Sequence, residues 1–162
     1  MLSKRADVKP GWPAWAAKIA LAASERSDHP NADERVGACA VSFDRTCIYV
    51  GYNGPPAGID IDWSDREQRK TMVIHAEVNC LRQCNPGEVE FIVVTLRPCI
   101  SCLTNIAACK VRKVYYLTEY AKDQNAHAAA AKMGIELVHL KLVNEKSLNP
   151  EVCSLVSAQA GN

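Results

Sequence analysis

The sequence predicts an α/β fold, a three-layer α/β/α sandwich around a mixed five-stranded sheet. From residue 36 onward, strand-like and helix-like segments follow in the order β-β-α-β-α-β-α-β. The first two strands are separated by the short turn Asp44-Arg45-Thr46, so they form an antiparallel hairpin. The last three are joined through helices, which makes them parallel to one another.

Each element has its own signal. Gly11, Trp12 and Pro13 open a helix over residues 12–27, with Trp15, Ile19, Ala22 and Ala23 on one face and both tryptophans as core anchors. Pro30 disfavours helix at His29 and ends it. Residues 36–43 and 47–52 read as the two strands of a hairpin. The run Asn53-Gly54-Pro55-Pro56 cannot continue a strand, because proline lacks an N–H. Residues 59–71 are polar and read as irregular, with Trp63 isolated among charges, and a loop of that length is a functional candidate. A helix over 74–84 places His75 and Glu77 in its first turn and stops at Asn85-Pro86-Gly87. Residues 90–95 form a buried strand, 99–109 a helix, 114–117 a strand, 125–133 a helix closed by Gly134, and 135–140 the last strand. Signals fade beyond residue 141, with a short helix expected over 150–157.

Composition narrows the function classes. The 162 residues, 48% of them hydrophobic, suit one domain over 1–162 with its core at about 12–140 and a C-terminal tail at 141–162. The formal net charge of +1 and the absence of a basic stripe argue for a small substrate and against a polynucleotide partner. No apolar run is long enough to cross a bilayer, and the N-terminus shows no secretory h-region, so neither membrane nor export is expected. A cytoplasmic, reducing location follows, in which Cys39, Cys47, Cys80, Cys84, Cys109 and Cys153 are mostly small core residues.

Chemistry concentrates between residues 73 and 102. His75, Cys99 and Cys102 supply one imidazole and two thiols, a three-ligand set for zinc that leaves the fourth tetrahedral position open. Glu77, two residues past the histidine, is placed to move protons without ligating. Bland readings stand beside these. The cluster could be a closed structural site completed by His127 or His139, and Glu77 could be an ordinary first-turn glutamate at a helix dipole.

His-x-Glu followed by Pro-Cys-x-x-Cys resembles the zinc-dependent nucleoside, nucleotide and nucleobase deaminases. Val36-Gly37-Ala38, Gly51-Tyr52-Asn53-Gly54, His75 to Asn79 and Val94 to Cys99 fall in the order and spacing of deoxycytidylate (dCMP) deaminases, from about residue 12 to about 140. The resemblance implies hydrolysis of dCMP to dUMP with one Zn²⁺ per subunit, since residues 54–72 lack the Cys and His of an additional site. It implies Glu77 as the proton carrier, Asn53 on the sugar 3′-hydroxyl, the Ala76 N–H on the pyrimidine O2, and the Arg97 carbonyl facing the leaving amine. A turn role for Asn53 stays open. Arg97 itself departs from many relatives, and its side chain is free to meet solvent, phosphate or a neighbouring subunit.

For the phosphate, Arg26 is the first candidate, with Tyr120 and Lys122 behind it at the carboxyl edge of the sheet. The family further implies a homohexamer, activation by dCTP with accompanying Mg²⁺, and inhibition by dTTP. The loops containing Gly51, Tyr52 and Gly54, and Arg66 and Arg69, are the expected effector site. A free cytidine or cytosine deaminase, a tRNA adenosine deaminase-like editor and a non-catalytic zinc module are the competing readings. His75 in place of a third cysteine, the balanced charge and the intact Glu77 count against them in turn.

Overall fold

The computed structural model describes residues 10–141. Five strands form one sheet in the order β2-β1-β3-β4-β5. The strands are β1 (Gly37–Ser42), β2 (Ile48–Tyr52), β3 (Val89–Leu96), β4 (Lys113–Thr118) and β5 (Glu136–His139). β1 pairs antiparallel with both β2 and β3, while β3, β4 and β5 run parallel, as the connections required. The mixed five-stranded sheet is therefore the predicted one.

Alternation along the strands divides the core between two faces. Ala38 and Ala40 of β1, with Ile92 and Val94 of β3, pack under α3 (Ala76–Leu81), α4 (Ile100–Ala108) and α5 (Ala126–Lys132). Cys39, Val41, Phe91 and Val93 face the opposite way, against α1 (Trp12–Ser24). Two glycines set how closely helices approach. A Cβ on Gly37 would lie 1.9 Å from the Ala20 carbonyl oxygen of α1, and one on Gly51 would lie 2.5 Å from the Ala76 carbonyl oxygen of α3. Both helices thus rest directly on strand backbone, which fixes the height of α3 above the sheet.

Several expectations need correction. α1 ends at Ser24, short of Ser27, and its buried face is alanine: Ala14, Ala16, Ala17, Ala20 and Ala23. Trp12 and Trp15 are each 37% exposed and pack edge to face on one another, because a helix seated on Gly37 has room only for small side chains beneath it. Residues 59–71 are not irregular throughout, since α2 runs over Arg66–Met72 with Asp65 as its N-cap. His75 and Cys99 are N-caps of α3 and α4, just outside the helices they were expected to join. Of the cysteines expected in the core, Cys39 and Cys80 are buried, whereas Cys47, Cys84 and Cys109 are half-buried free thiols. Cys153 and the expected helix over 150–157 lie outside the described residues.

Candidate active site

β2 leads into the site. After Tyr52 the chain turns, and Gly54 exchanges two backbone hydrogen bonds with Ile74, of 3.1 and 2.9 Å. That bridge anchors the residue before His75. His75 is extended at φ −68°, ψ 152°, and the helix starts at Ala76. As the first helical residue, Ala76 has a backbone N–H without an intrahelical acceptor. Glu77, one residue on, is only 4% exposed. From β3, two strands across the sheet, the chain runs through Arg97 and Pro98 to Cys99, which caps α4, and Cys102 sits in that helix's first turn, buried.

The two helix starts bring three donors together. His75 Nδ1 lies 3.2 Å from Cys102 Sγ and 3.7 Å from Cys99 Sγ, and all three donor atoms lie within 4.8 Å of one another. Tetrahedral zinc with ordinary Zn–N and Zn–S bonds needs N···S separations of roughly 3.6 Å, so the donor set fits the ion. Among the described residues no other such cluster exists. His127 and His139, the spare fourth ligands, are engaged elsewhere. His127 lies 3.3 Å from Glu119 Oε2, and His139 stacks on Tyr116 with Nε2 2.9 Å from the Leu117 carbonyl. Among the described residues no fourth donor joins the three.

Electrostatics matches that chemistry. Hydrogen bonding from Cys102 lowers the Cys99 thiol to about 4, against the opposing effect of burial. The same hydrogen bond, together with burial, pushes the Cys102 thiol far up, so the two sulfurs are driven in opposite directions. A hydrogen bond with Cys99 raises His75. Burial pushes the Glu77 carboxyl up, favouring a group that can accept a proton and hold it.

These groups open into a cavity of about 520 Å³. His75, Ala76, Glu77, Cys99, Asn53, Arg97, Tyr120 and Lys122 all line it, as do Arg66, Arg69 and Lys70 of α2. The residues assigned to a separate effector loop, Arg66 and Arg69, thus share the cavity of the metal cluster. Gly51, Tyr52 and Gly54 do not line it: Gly51 packs under α3, Gly54 bridges to Ile74, and Tyr52 is exposed. Arg26, the first phosphate candidate, is exposed at the end of α1 and is absent from the cavity lining.

Asn53 is buried at 8% exposure, and both ends of its amide are engaged. Its Oδ1 accepts from the Val36 N–H at 2.8 Å, and its Nδ2 donates to the Glu34 carbonyl at 2.9 Å. The turn role is therefore occupied, while the second Nδ2 hydrogen stays available to a ligand. Arg97 meets neither solvent nor a free phosphate: its side chain is 1% exposed and pairs with Glu119.

His29, Glu34 and Lys70 also line the cavity and were not singled out from the sequence. His29 Nδ1 accepts from the Asn31 N–H at 3.1 Å, its Nε2 lies 2.9 Å from Glu34 Oε2, and its ring meets Trp63 edge on at 5.0 Å. A lone histidine in a helix-ending turn carries no local signal of this. The α2 cations did have one, in the capping pattern Asp65-x-x-Gln68, where the Asp65 side chain accepts from the Glu67 and Gln68 N–H groups.

Comparison with known proteins agrees with this geometry. The profile of the cytidine and deoxycytidylate deaminase zinc-binding region matches residues 10–118. A protein named probable deoxycytidylate deaminase from Caenorhabditis elegans is 36% identical over 142 residues, covering 83% of this chain and 68% of that one. The human deoxycytidylate deaminase is 29% identical over 137 residues, covering 78% and 76%. The crystal structure of dCMP deaminase from the cyanophage S-TIM5, in complex with dCMP and dUMP, superposes with a TM-score of 0.66 at 26% identity, covering 82% of this chain and 99% of that one. Motif, fold and donor set converge, and the chain belongs to the cytidine and deoxycytidylate deaminase family with its zinc-binding region.

Proposed function

We propose that this chain hydrolyses dCMP to dUMP and ammonia, with the described residues acting as one deaminase domain. The observation that carries the reading is a buried glutamate beside a three-donor metal cluster, in a cavity that also receives four cationic side chains, Arg66, Arg69, Lys70 and Lys122. The worm, human and phage relatives, named for dCMP, support the nucleotide.

Zinc held by His75, Cys99 and Cys102 would supply the Lewis acidity that makes water nucleophilic at neutral pH. Glu77 takes the proton from that water and delivers it to the ring nitrogen beside the reacting carbon. As the water oxygen bonds to that carbon, Glu77 carries the water's second proton to the amine, so the C–N bond breaks, neutral ammonia leaves and the oxygen stays as the ring carbonyl. Burial serves Glu77 in both directions, since a raised pKa makes it a better base and lets it keep the proton between transfers. The Ala76 N–H, unclaimed within its helix, holds the pyrimidine O2, and the Arg97 carbonyl faces the amine. The free hydrogen of Asn53 Nδ2 is the donor for the sugar 3′-hydroxyl.

In this reading the 5′-phosphate goes to the cations of α2 and to Lys122, with Tyr120 beside the ring. Arg26 is replaced in that role. A triphosphate effector site loses its residue assignment, because Arg66 and Arg69 lie at the substrate cavity. Regulation by dCTP and dTTP, Mg²⁺ with the triphosphate, a homohexameric assembly and a cytoplasmic location belong to the same proposal through the family resemblance. No helix among the described residues is long and apolar enough to cross a membrane.

Ammonia release measured side by side on dCMP, deoxycytidine, dCTP and cytosine tests the reading. dCMP should lead by at least an order of magnitude. Equal or greater turnover of deoxycytidine or cytosine would overturn the monophosphate assignment.

A further inference from the structure

We propose that Arg97 is a positioning residue whose buried guanidinium ties the zinc-binding turn to the 119–123 segment of the cavity wall. Arg97 directly precedes Pro98 and Cys99, and its backbone N–H continues the β3–β4 ladder to the Thr118 carbonyl at 2.8 Å. The side chain then turns toward the loop after β4. Its Nε pairs with the Glu119 carboxylate, Nη2 donates to the Tyr120 carbonyl and, at 2.7 Å, to the Asp123 carbonyl, and Nη1 donates at 3.2 Å to the Pro98 carbonyl.

The link closes on itself. Asp123 Oδ2 accepts from the Ile100 N–H at 2.9 Å, at the first residue of α4, between the two cysteine ligands in sequence. One guanidinium therefore holds both ends of a segment whose middle residues, Tyr120 and Lys122, line the cavity. The far end of that segment in turn holds the start of the ligand helix. The planar fork is what makes this possible, since three carbonyls and a carboxylate lie in fixed directions that an ammonium cannot match. Burial makes the tie stiff, because releasing any acceptor leaves a desolvated cation without a partner.

The inference rests on the proposed zinc site and does not depend on which nucleotide is deaminated. Partners beyond the ligands typically alter metal affinity or activity by roughly 10- to 100-fold. The test uses the zinc-loaded full chain and the variants Arg97→Lys, Asp123→Ala and their combination. The first readout is the rate of zinc transfer to a chromophoric chelator. The second is amide hydrogen exchange at Ile100 in the metal-free protein.

Folded Arg97→Lys and Asp123→Ala, judged by unchanged far-UV circular dichroism, should each transfer zinc about 10- to 100-fold faster. The double variant should be no faster than the quicker single one, because both cut the same connection. Ile100 exchange should accelerate in both single variants. Wild-type zinc transfer in the folded single variants, or multiplying effects in the double, would overturn the proposal. Should Arg97→Lys fail to fold, Asp123→Ala carries the same decision through zinc transfer and Ile100 exchange. A wild-type protein that holds zinc without deaminating dCMP would sink the proposed function while leaving this test intact. Wild-type protein unable to hold zinc would remove the site and this coupling together.

Discussion

Glu77 draws its chemical value from two neighbours and from burial. A carboxylate on an exposed first turn would titrate in the usual range and exchange protons with bulk water. Here burial raises it, and the donors of His75 and Cys102 lie beside it. If, as proposed, the residue moves protons and does not ligate, Glu77→Ala should retain zinc at wild-type stoichiometry while kcat falls on the order of 10²- to 10⁴-fold. Metal analysis and steady-state kinetics on one preparation check this, and a near wild-type rate would refute the mechanism. Residues of this kind were legible because their side-chain chemistry and short spacing travel together in the chain: His75 with Glu77, Cys99 with Cys102. Arg97 was visible as a residue but not as a contact, because its partners in the 119–123 segment lie 22 to 26 positions away. Trp12 and Trp15 were misread because size alone suggested burial, whereas Gly37 brings α1 so close that alanines must face the sheet.

Among the elements, α2 was the least legible and is the most consequential for substrate choice. Its seven residues include no buried one, so it shows no apolar stripe of the kind that reveals most helices. What remains is its cap, with Asp65 accepting from two backbone N–H groups and Gln68 donating back to Asp65 Oδ2 at 3.0 Å. The cap orders a helix that would otherwise be too short and polar to persist, and the ordered helix presents Arg66, Arg69 and Lys70 to the cavity. Arg69 is further tied by its Nη1 to the Trp63 carbonyl, which leaves Arg66 and Lys70 without an ion pair among the described residues. If these two meet the phosphate, Lys70→Ala and Arg66→Ala should each lower kcat/KM for dCMP by about 10-fold, the lower end for a charged hydrogen bond, because both are exposed. Deoxycytidine turnover should not change. Arg26→Ala, outside the cavity, should leave the ratio of the two substrates where it was, and a loss confined to Arg26→Ala would return the phosphate to the end of α1.

At the scale of the whole molecule, the strand directions followed from connection lengths, because a hairpin turn and helical crossovers each permit one direction of pairing. The placement of the cavity could not be read the same way, since it depends on how α2, the 119–123 segment and the turn at Asn53 converge from distant parts of the chain. The metal links these parts to global stability. Its donors come from the starts of two helices that pack on the same sheet face, so zinc bound only by the folded chain must raise the melting temperature. At a free zinc concentration about 1,000-fold above Kd the gain is roughly 4 kcal/mol, or about 8–16 °C for a chain of this size. The pH dependence has a definite sign. Hydrogen bonding with Cys99 and burial favour the protonated Cys102 thiol, and His75 is raised as well. Zinc must displace these protons, so its affinity falls as pH falls, and the zinc-induced rise in melting temperature should be larger at pH 8 than at pH 6. Thermal melts of zinc-loaded and chelator-stripped protein at both values check this, with Cys102→Ser expected to abolish the rise at either pH. A rise that is equal at both pH values, or that survives in Cys102→Ser, would mean that the stabilising metal binds somewhere other than the His75, Cys99 and Cys102 cluster.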